Sequence, residues 1–463
     1  MAVKLKGSYT VKPAEATWEG RLPLSELDQV GCITHIPTIS FYRRPENCLA
    51  QPETLINTAQ ESLSRVLVHF YPLAGRLHWA SKGRIELDCN GMGAQVLEAE
   101  TESKIDEFIG ELAEYHNLIP TVDYTLPIHE LPIVLVQLTS FSCGGISISL
   151  SISHAVVDGQ SLLHFIFEWA ALTRGEPLMF PPFLDRKALR AGEPPIAPHS
   201  LNLSFNLPTL LSERTPDKAE EEQEKEKEKE AKLAILRLSK DQVENLKKVA
   251  NQGLEKHNTK TRPYTRYETL AGYVWRCACK ARNHKPEQET ALGVCVDTRR
   301  RVTPPLPWCY FGNAIIDVLA TSTAGELASK PLGHAAGRIR EAVETATDEY
   351  VWEAIEYLKS HDDLKEFQDL GVRLRGKKFT FYENPNLGVV SWLSLPMYGV
   401  DFGWGKEAYI GPGDVDGETS FLVPCPSGDG SVIVALCLQA QHLDSFKKHF
   451  YNDIDIDIDI DIN

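Results

Sequence analysis

An α/β protein of more than one domain is the architecture this chain predicts, on three observations. Between residues 146 and 171 a period-two apolar pattern gives way, across a short turn, to an amphipathic one, which reads as strand, turn and helix. Proline, glycine and then charge accumulate between residues 190 and 232. A length of 463 residues allows two or three domains, each able to bury a core without staples.

In the run GGISISLSISHAVVDGQS, Ile146, Ile148, Leu150 and Ile152 alternate with Ser147, Ser149, Ser151 and Ser153. That is the pattern of a strand with one packed face and one polar face. His154 is expected as its last residue, Asp158 and Gly159 supply turn chemistry, and Gln160 to Ala171 form the next helix. An imidazole at the end of a rigid element is well held for general-base work. The spacing alone is weak, because the chain has 14 histidines and His449 with Asp453 repeats it. A hydrogen-bonded histidine at a strand end satisfies it equally.

AGEPPIAPHS, followed by the charge run EEEQEKEKEKE from Glu220 to Glu230, reads as a crossover containing a solvated loop or an exposed helix. The expected division is a first domain at 1–195, a crossover at 196–232, a second domain at 233–450 and an acidic tail at 451–463. The terminal DIDIDIDIDIN alternates like a strand, but its aspartates and the lack of a turn partner favour a mobile tail. A hard-cation site there is a minor alternative.

Asp401-Phe402-Gly403-Trp404-Gly405 is the second notable motif. Two glycines around a tryptophan suit a turn with unusual backbone angles, and a structural corner is the plain reading. No HRD, VAIK or glycine-rich phosphate loop accompanies the DFG, so a kinase-type metal site is not expected.

The formal net charge of −16 argues against a nucleic-acid surface and would concentrate cationic ligands. Ten cysteines without a CxxC suggest reduced, buried thiols, with Cys277 and Cys279 as a CxC inside an apparent helix. No apolar run approaches the roughly 20 residues of a membrane span, and MAVKLKGSYT lacks the apolar stretch of a signal peptide, so the cytosol is expected.

Taken together, HAVVDG and DFGWG resemble the plant BAHD family of CoA-dependent acyltransferases. HIPTISFY, HFYPLAGRL, YTRYETLAGYVWRCACKAR, VDTRRR, YFGNA and LGVVSWLSLPMYGVDFGWG match as well, in order, from Ser8 to about Phe450. Within the family, SYTVKPAEATWEGRLPLSELDQVG and TRYETLAGYVWRCACKARNHKPEQETALGVCVDTR look most like spermidine hydroxycinnamoyl transferases. The resemblance implies two similar-sized α/β domains related to chloramphenicol acetyltransferase, with mixed sheets flanked by helices and the active site at the domain interface. It implies transfer of a hydroxycinnamoyl group from its CoA thioester to spermidine, with no permanently bound cofactor or metal, and a monomer with small-molecule partners only. O-acylation of shikimate, quinate or another alcohol is the alternative, and a catalytically silent member of the fold a more distant one.

The same resemblance implies roles residue by residue. His154 is the general base. Asp158 turns from the substrate and pairs with Arg299 of VDTRRR, while Asp401, Gly403 and Trp404 are structural. Trp392 of the SW segment stands beside the reacting carbonyl, where an indole N–H can donate. Relatives that use shikimate commonly read TSW, whereas this chain has Val390-Ser391-Trp392. Two residues after the tryptophan such relatives often carry arginine; here Ser394 offers an acceptor carboxylate no fork. Asp317 and Glu383 are candidates for acceptor ammonium groups. His35, Thr38 and Ser40 are candidates for the acyl slot, and Thr265, Arg266, Arg300 and Arg301 for the CoA phosphates.

Overall fold

A computed structural model describes residues 2–31, 33–44, 52–109, 112–196, 231–255, 262–368, 384–415 and 419–459. Its first half contains β1 (Val3–Val11), β2 (Gly20–Pro23), β3 (His35–Tyr42), α1 (Pro52–His69), β4 (Arg76–Trp79), β5 (Ile85–Cys89), β6 (Ala94–Thr101), β7 (Val134–Phe141), β8 (Ile146–Ser153) and α2 (Gly159–Thr173). The second half continues with β9 (Ala231–Leu238), α3 (Lys240–Glu255), α4 (Arg266–Arg282), β10 (Glu289–Asp297), β11 (Ile315–Thr323), α5 (Ala324–Ser329), α6 (Leu332–Thr345) and α7 (Asp348–Ser360). It ends with β12 (Leu387–Ser391), β13 (Tyr409–Pro412), β14 (Thr419–Pro424), β15 (Val432–Gln439) and α8 (Ala440–Asp459).

Two six-stranded mixed sheets carry the fold, in the orders β1-β6-β7-β8-β3-β13 and β11-β10-β12-β14-β15-β9; β2, β5 and β4 form a third, small sheet. Each large sheet has its own core. The first gathers α1 and α2 through residues such as Leu63, Leu67, Phe165 and Trp169. The second gathers α4, α6, α7 and α8 through Val274, Ile339, Ile355 and Phe446. Helix starts are chemically marked: Asp158 caps α2 through Ser161 N–H, and Thr265 with Glu268 forms a capping box on α4.

Three expectations change. The serine face of β8 is not open to water, for all eight residues of the strand are buried. The connection between β6 and β7 covers it, with Ser151 Oγ donating to Pro120 O at 2.8 Å and Gln137 Nε2 to Asn117 O at 3.0 Å. The tail expected at 451–463 begins instead as the last turns of α8, which runs to Asp459 and buries Ile454 in the second core. The aspartates that favoured a mobile tail are outweighed, since Phe446, Phe450 and Ile454 recur at helical spacing and are buried in the second core. Finally, the halves are interleaved. β13, from the stretch expected to be wholly second-domain, pairs with β3 through Tyr409–Phe41 to Pro412–Thr38 and completes the first sheet. The crossover's charge run lies outside the described residues, and β9 begins at Ala231.

Candidate active site

His154 stands one residue beyond β8, its N–H donating to Thr34 O at 2.7 Å. Its ring is held by Asn313, from the turn before β11. Asn313 Nδ2 donates to His154 O at 2.6 Å and to Asp28 Oδ1 at 3.1 Å, and the Asn313 backbone N–H donates to the same Asp28 oxygen at 2.7 Å. Both acceptors take only hydrogens, so the amide orientation is determined and Asn313 Oδ1 must accept from His154 Nδ1–H, 3.2 Å away. The neutral imidazole therefore keeps its lone pair on Nε2. Asp28 is itself anchored by Ser25 Oγ at 2.7 Å and Arg186 Nε at 3.1 Å, all buried.

Asp158 points away from this ring. Its carboxylate receives Arg299 Nη1 at 2.7 Å and Nη2 at 2.9 Å, Ser161 N–H at 2.9 Å and Ala314 N–H at 3.1 Å. Burial works against the charge, but the Arg299 guanidinium and these N–H donors more than offset it and hold the carboxyl below the ordinary aspartate range. Arg299 also donates to Asp297 Oδ1, Ser161 Oγ and the carbonyls of Tyr310 and Gly312. The pair thus clamps the 310–314 segment that presents Asn313.

Trp392 follows β12 and is buried against Phe421, ring centroids 5.6 Å apart. The turn after it, with Ser394 exposed, packs against the histidine loop: a Cβ on Gly159 would lie 3.3 Å from Leu395 Cδ1. DFGWG is a corner of the first core. Asp401 Oδ1 accepts from Gly403 and Gly405 N–H at 2.7 and 3.0 Å, both glycines at positive φ, while Arg174 donates to Asp401 O. Phe402 and Trp404 stack on each other and meet Tyr42 edge-on.

The remaining candidates divide. Thr38 and Ser40 are buried on one face of β3, and Thr38 Oγ1 lacks a partner among the described residues. His35, half-buried, projects from the opposite face: Nε2 donates to Pro132 O at 2.9 Å, so Nδ1 accepts from Tyr124 Oη at 3.0 Å, and burial pushes the ring down to about 4. Thr265 is occupied as a helix cap, and Arg301 donates to Val343 O and Ala346 O at the end of α6. Arg266 donates to the Gly430 and Ser431 carbonyls, beside an open depression lined by Arg237, Ser239 and Ser427. Arg300 is exposed, Asp317 is half-buried on β11, and Glu383 lies outside the described residues. Asn313 and Asp28 are absent from the sequence reading, although YFGNA and LSELDQVG both stood among the matching segments.

Among the described residues no group of three His, Cys, Asp or Glu could hold a metal, and no helix is long and apolar enough to cross a membrane. Comparison with known proteins bears directly on this constellation. The profile of the Transferase family matches residues 1–453. The hydroxycinnamoyl-CoA:piscidic acid hydroxycinnamoyltransferase of Actaea racemosa is 40% identical, over 98% of this chain and 100% of that one. The shikimate O-hydroxycinnamoyltransferase of Nicotiana tabacum is 38% identical over 98% and 100%. A hydroxycinnamoyl-CoA:5-hydroxyanthranilate N-hydroxycinnamoyltransferase of Avena sativa is 35% identical over 98% and 100%. The crystal structure of vinorine synthase shares the fold with a TM-score of 0.70 at 22% identity, covering 96% of each chain. A match from end to end in sequence, and a two-sheet fold shared with a solved member, make this chain a member of the transferase family, the BAHD acyltransferases.

Proposed function

We propose that the protein transfers a hydroxycinnamoyl group from its CoA thioester to an amine of spermidine. The observation that carries the acyl-transfer step is the His154 tautomer: with Nδ1–H committed to Asn313, Nε2 is left to take a proton. A thioester is already activated, so no covalent enzyme intermediate is needed. The acceptor nitrogen attacks the thioester carbonyl, forming the C–N bond as Nε2 removes its proton. The tetrahedral oxyanion is stabilised by the Trp392 indole N–H. Collapse breaks the C–S bond, and His154 returns the proton to the departing CoA thiolate.

Thr38 and Ser40 give the acyl slot hydroxyls for a phenol. The CoA phosphates would occupy the depression of Arg237 and Ser239, where Asp429 is engaged by Ser431 N–H at 2.8 Å. It opens at the sheet end that carries Trp392. β12 and β9 are separated there by three strand spacings, roughly 14 Å, a length a pantetheine arm can cover. For the acceptor, Ser394 leaves the turn beside the histidine loop without a cation to hold a carboxylate, and the chain's charge of −16 favours a polyamine. O-acylation of shikimate or another alcohol is the second reading, favoured by the name of the tobacco relative. A mass-spectrometric acceptor panel with p-coumaroyl-CoA separates the two: N-coumaroyl spermidine as the main product supports the proposal, and preference for shikimate in direct competition defeats it. A cytosolic, monomeric enzyme is part of the same proposal.

A further inference from the structure

Three polar residues on one face of α2 hold an exposed aromatic pair in place. Gln160 Nε2 donates to Trp308 O at 2.7 Å, His164 Nε2 donates to Phe180 O at 2.7 Å, and the Glu168 carboxylate accepts from Met179 N–H at 2.9 Å and Phe180 N–H at 3.0 Å. His164 and Glu168 are themselves buried, yet the side chains they help to present are not: Met179 is 63% exposed, Phe180 44% and Trp308 52%. The Phe180 and Trp308 rings meet edge-on with centroids 4.7 Å apart, and the His164 ring lies 5.4 Å from Trp308. An apolar patch left in water on a fixed backbone points to something that covers it.

The patch adjoins the catalytic loop. Asp158 caps α2, Gly159 lies against Leu395 in the turn that exposes Ser394, and Gln160, the next residue, holds Trp308. Ser394, Leu395, Gly159, Gln160 and Trp308 are all at least partly accessible, so the surface runs without a break from the acceptor turn to the aromatic pair. The Trp308 face is also open to a cation. Among the described residues the cationic groups seated over rings are Arg299 on Tyr310, Arg340 on Tyr264 and Lys365 on Trp79, and none lies on Trp308. His164 does not fill that role, since burial holds its ring below the ordinary histidine range and keeps it neutral at pH 7.

We infer that Trp308, braced by Phe180, holds a second ammonium group of the acceptor against its π-face, at the outer end of a methylene arm whose other nitrogen reacts beside His154. The inference rests on the polyamine reading above and extends it to a residue and a substrate feature. The ring quadrupole attracts a cation placed over the indole and offers a carboxylate nothing, so the same residue favours a polyamine over an acidic acceptor.

The test is steady-state kinetics with p-coumaroyl-CoA and either spermidine or n-hexylamine, which carries a methylene arm without a second charge, on wild type, Trp308→Leu and Trp308→Phe, with thermal melts to verify folding. Trp308→Leu should raise the spermidine KM about three- to fivefold with kcat nearly unchanged and leave the hexylamine and thioester KM values where they were, while Trp308→Phe, which keeps a ring, should restore most of the loss. An unmoved spermidine KM, which would leave the aromatic pair to another occupant, an equal rise for hexylamine, which would mean apolar packing in place of charge recognition, or a rise in the thioester KM overturns the inference while leaving N-acylation standing. Absence of any amine product from wild type defeats the polyamine reading itself, and this assignment with it.

Discussion

Asn313 grips His154 at two points, donating to its backbone carbonyl at 2.6 Å and accepting from Nδ1 at 3.2 Å. Asp28, from the first thirty residues, fixes that amide in turn, so three distant segments determine which ring nitrogen can act as a base.

Removing the ring or its holder should slow chemistry rather than binding. His154→Ala should lower kcat about a hundredfold to ten-thousandfold with CoA binding retained, and Asn313→Ala, which frees the ring to change tautomer, about ten- to a hundredfold. Turnover and CoA titration of folded variants measure this. Near-normal kcat in His154→Ala would remove it as the base.

Asp158 and Arg299 should behave as one unit. Breaking either partner of this buried pair should cost about 3–5 kcal/mol, and Asp158→Asn with Arg299→Met together should lose less than the sum. Because the folded carboxyl is held below its ordinary range, its contribution is present above the unfolded aspartate range and is lost as pH falls through the lower folded value. Denaturant melts at several pH values give all three quantities; strictly additive losses would contradict coupling.

His35 should make the fold acid-sensitive earlier. With a folded pKa of about 4 against an ordinary value near 6.5, the unfolded chain takes up the proton first. Stability is therefore complete above about pH 6.5 and declines between there and about pH 4, by at most about 3 kcal/mol. His35→Gln should flatten that part of the stability curve in urea titrations between pH 7 and 4.

Acceptor chemistry should show in the pH profile. An amine with a pKa of about 10.4 is mostly protonated at neutral pH, so spermidine turnover should keep rising into the alkaline range, where an alcohol acceptor would level off. Ser394→Arg should weaken spermidine use and improve any activity on shikimate. A flat alkaline limb with spermidine, or no shift in the acceptor ratio, would count against the amine site.

What the sequence disclosed followed from how local each feature is. The strand, turn and helix around His154 were legible because periodicity and Asp158 capping act within a few residues. The link from Asn313 to Asp28 spans the chain, and no spacing rule joins residues 285 positions apart. For α8, the aspartates of DIDIDI and the lack of a turn partner pointed to a mobile tail, while the apolar positions Phe446, Phe450 and Ile454, buried only in the packed state, decided for a helix. Likewise the polar face read for β8 is covered by a segment from an earlier connection, which no period within the strand reports.

The seat of β13 has a consequence for synthesis. A ribosome delivers β3 hundreds of residues before Tyr409–Pro412, so until nearly the whole chain has emerged, the outer edge of the first sheet has no native strand to pair with. Nascent chains truncated before residue 409 should therefore expose a sticky β3 edge, and coexpressed halves divided within the crossover should recover a closed first sheet only when the second half donates its short strand across the break.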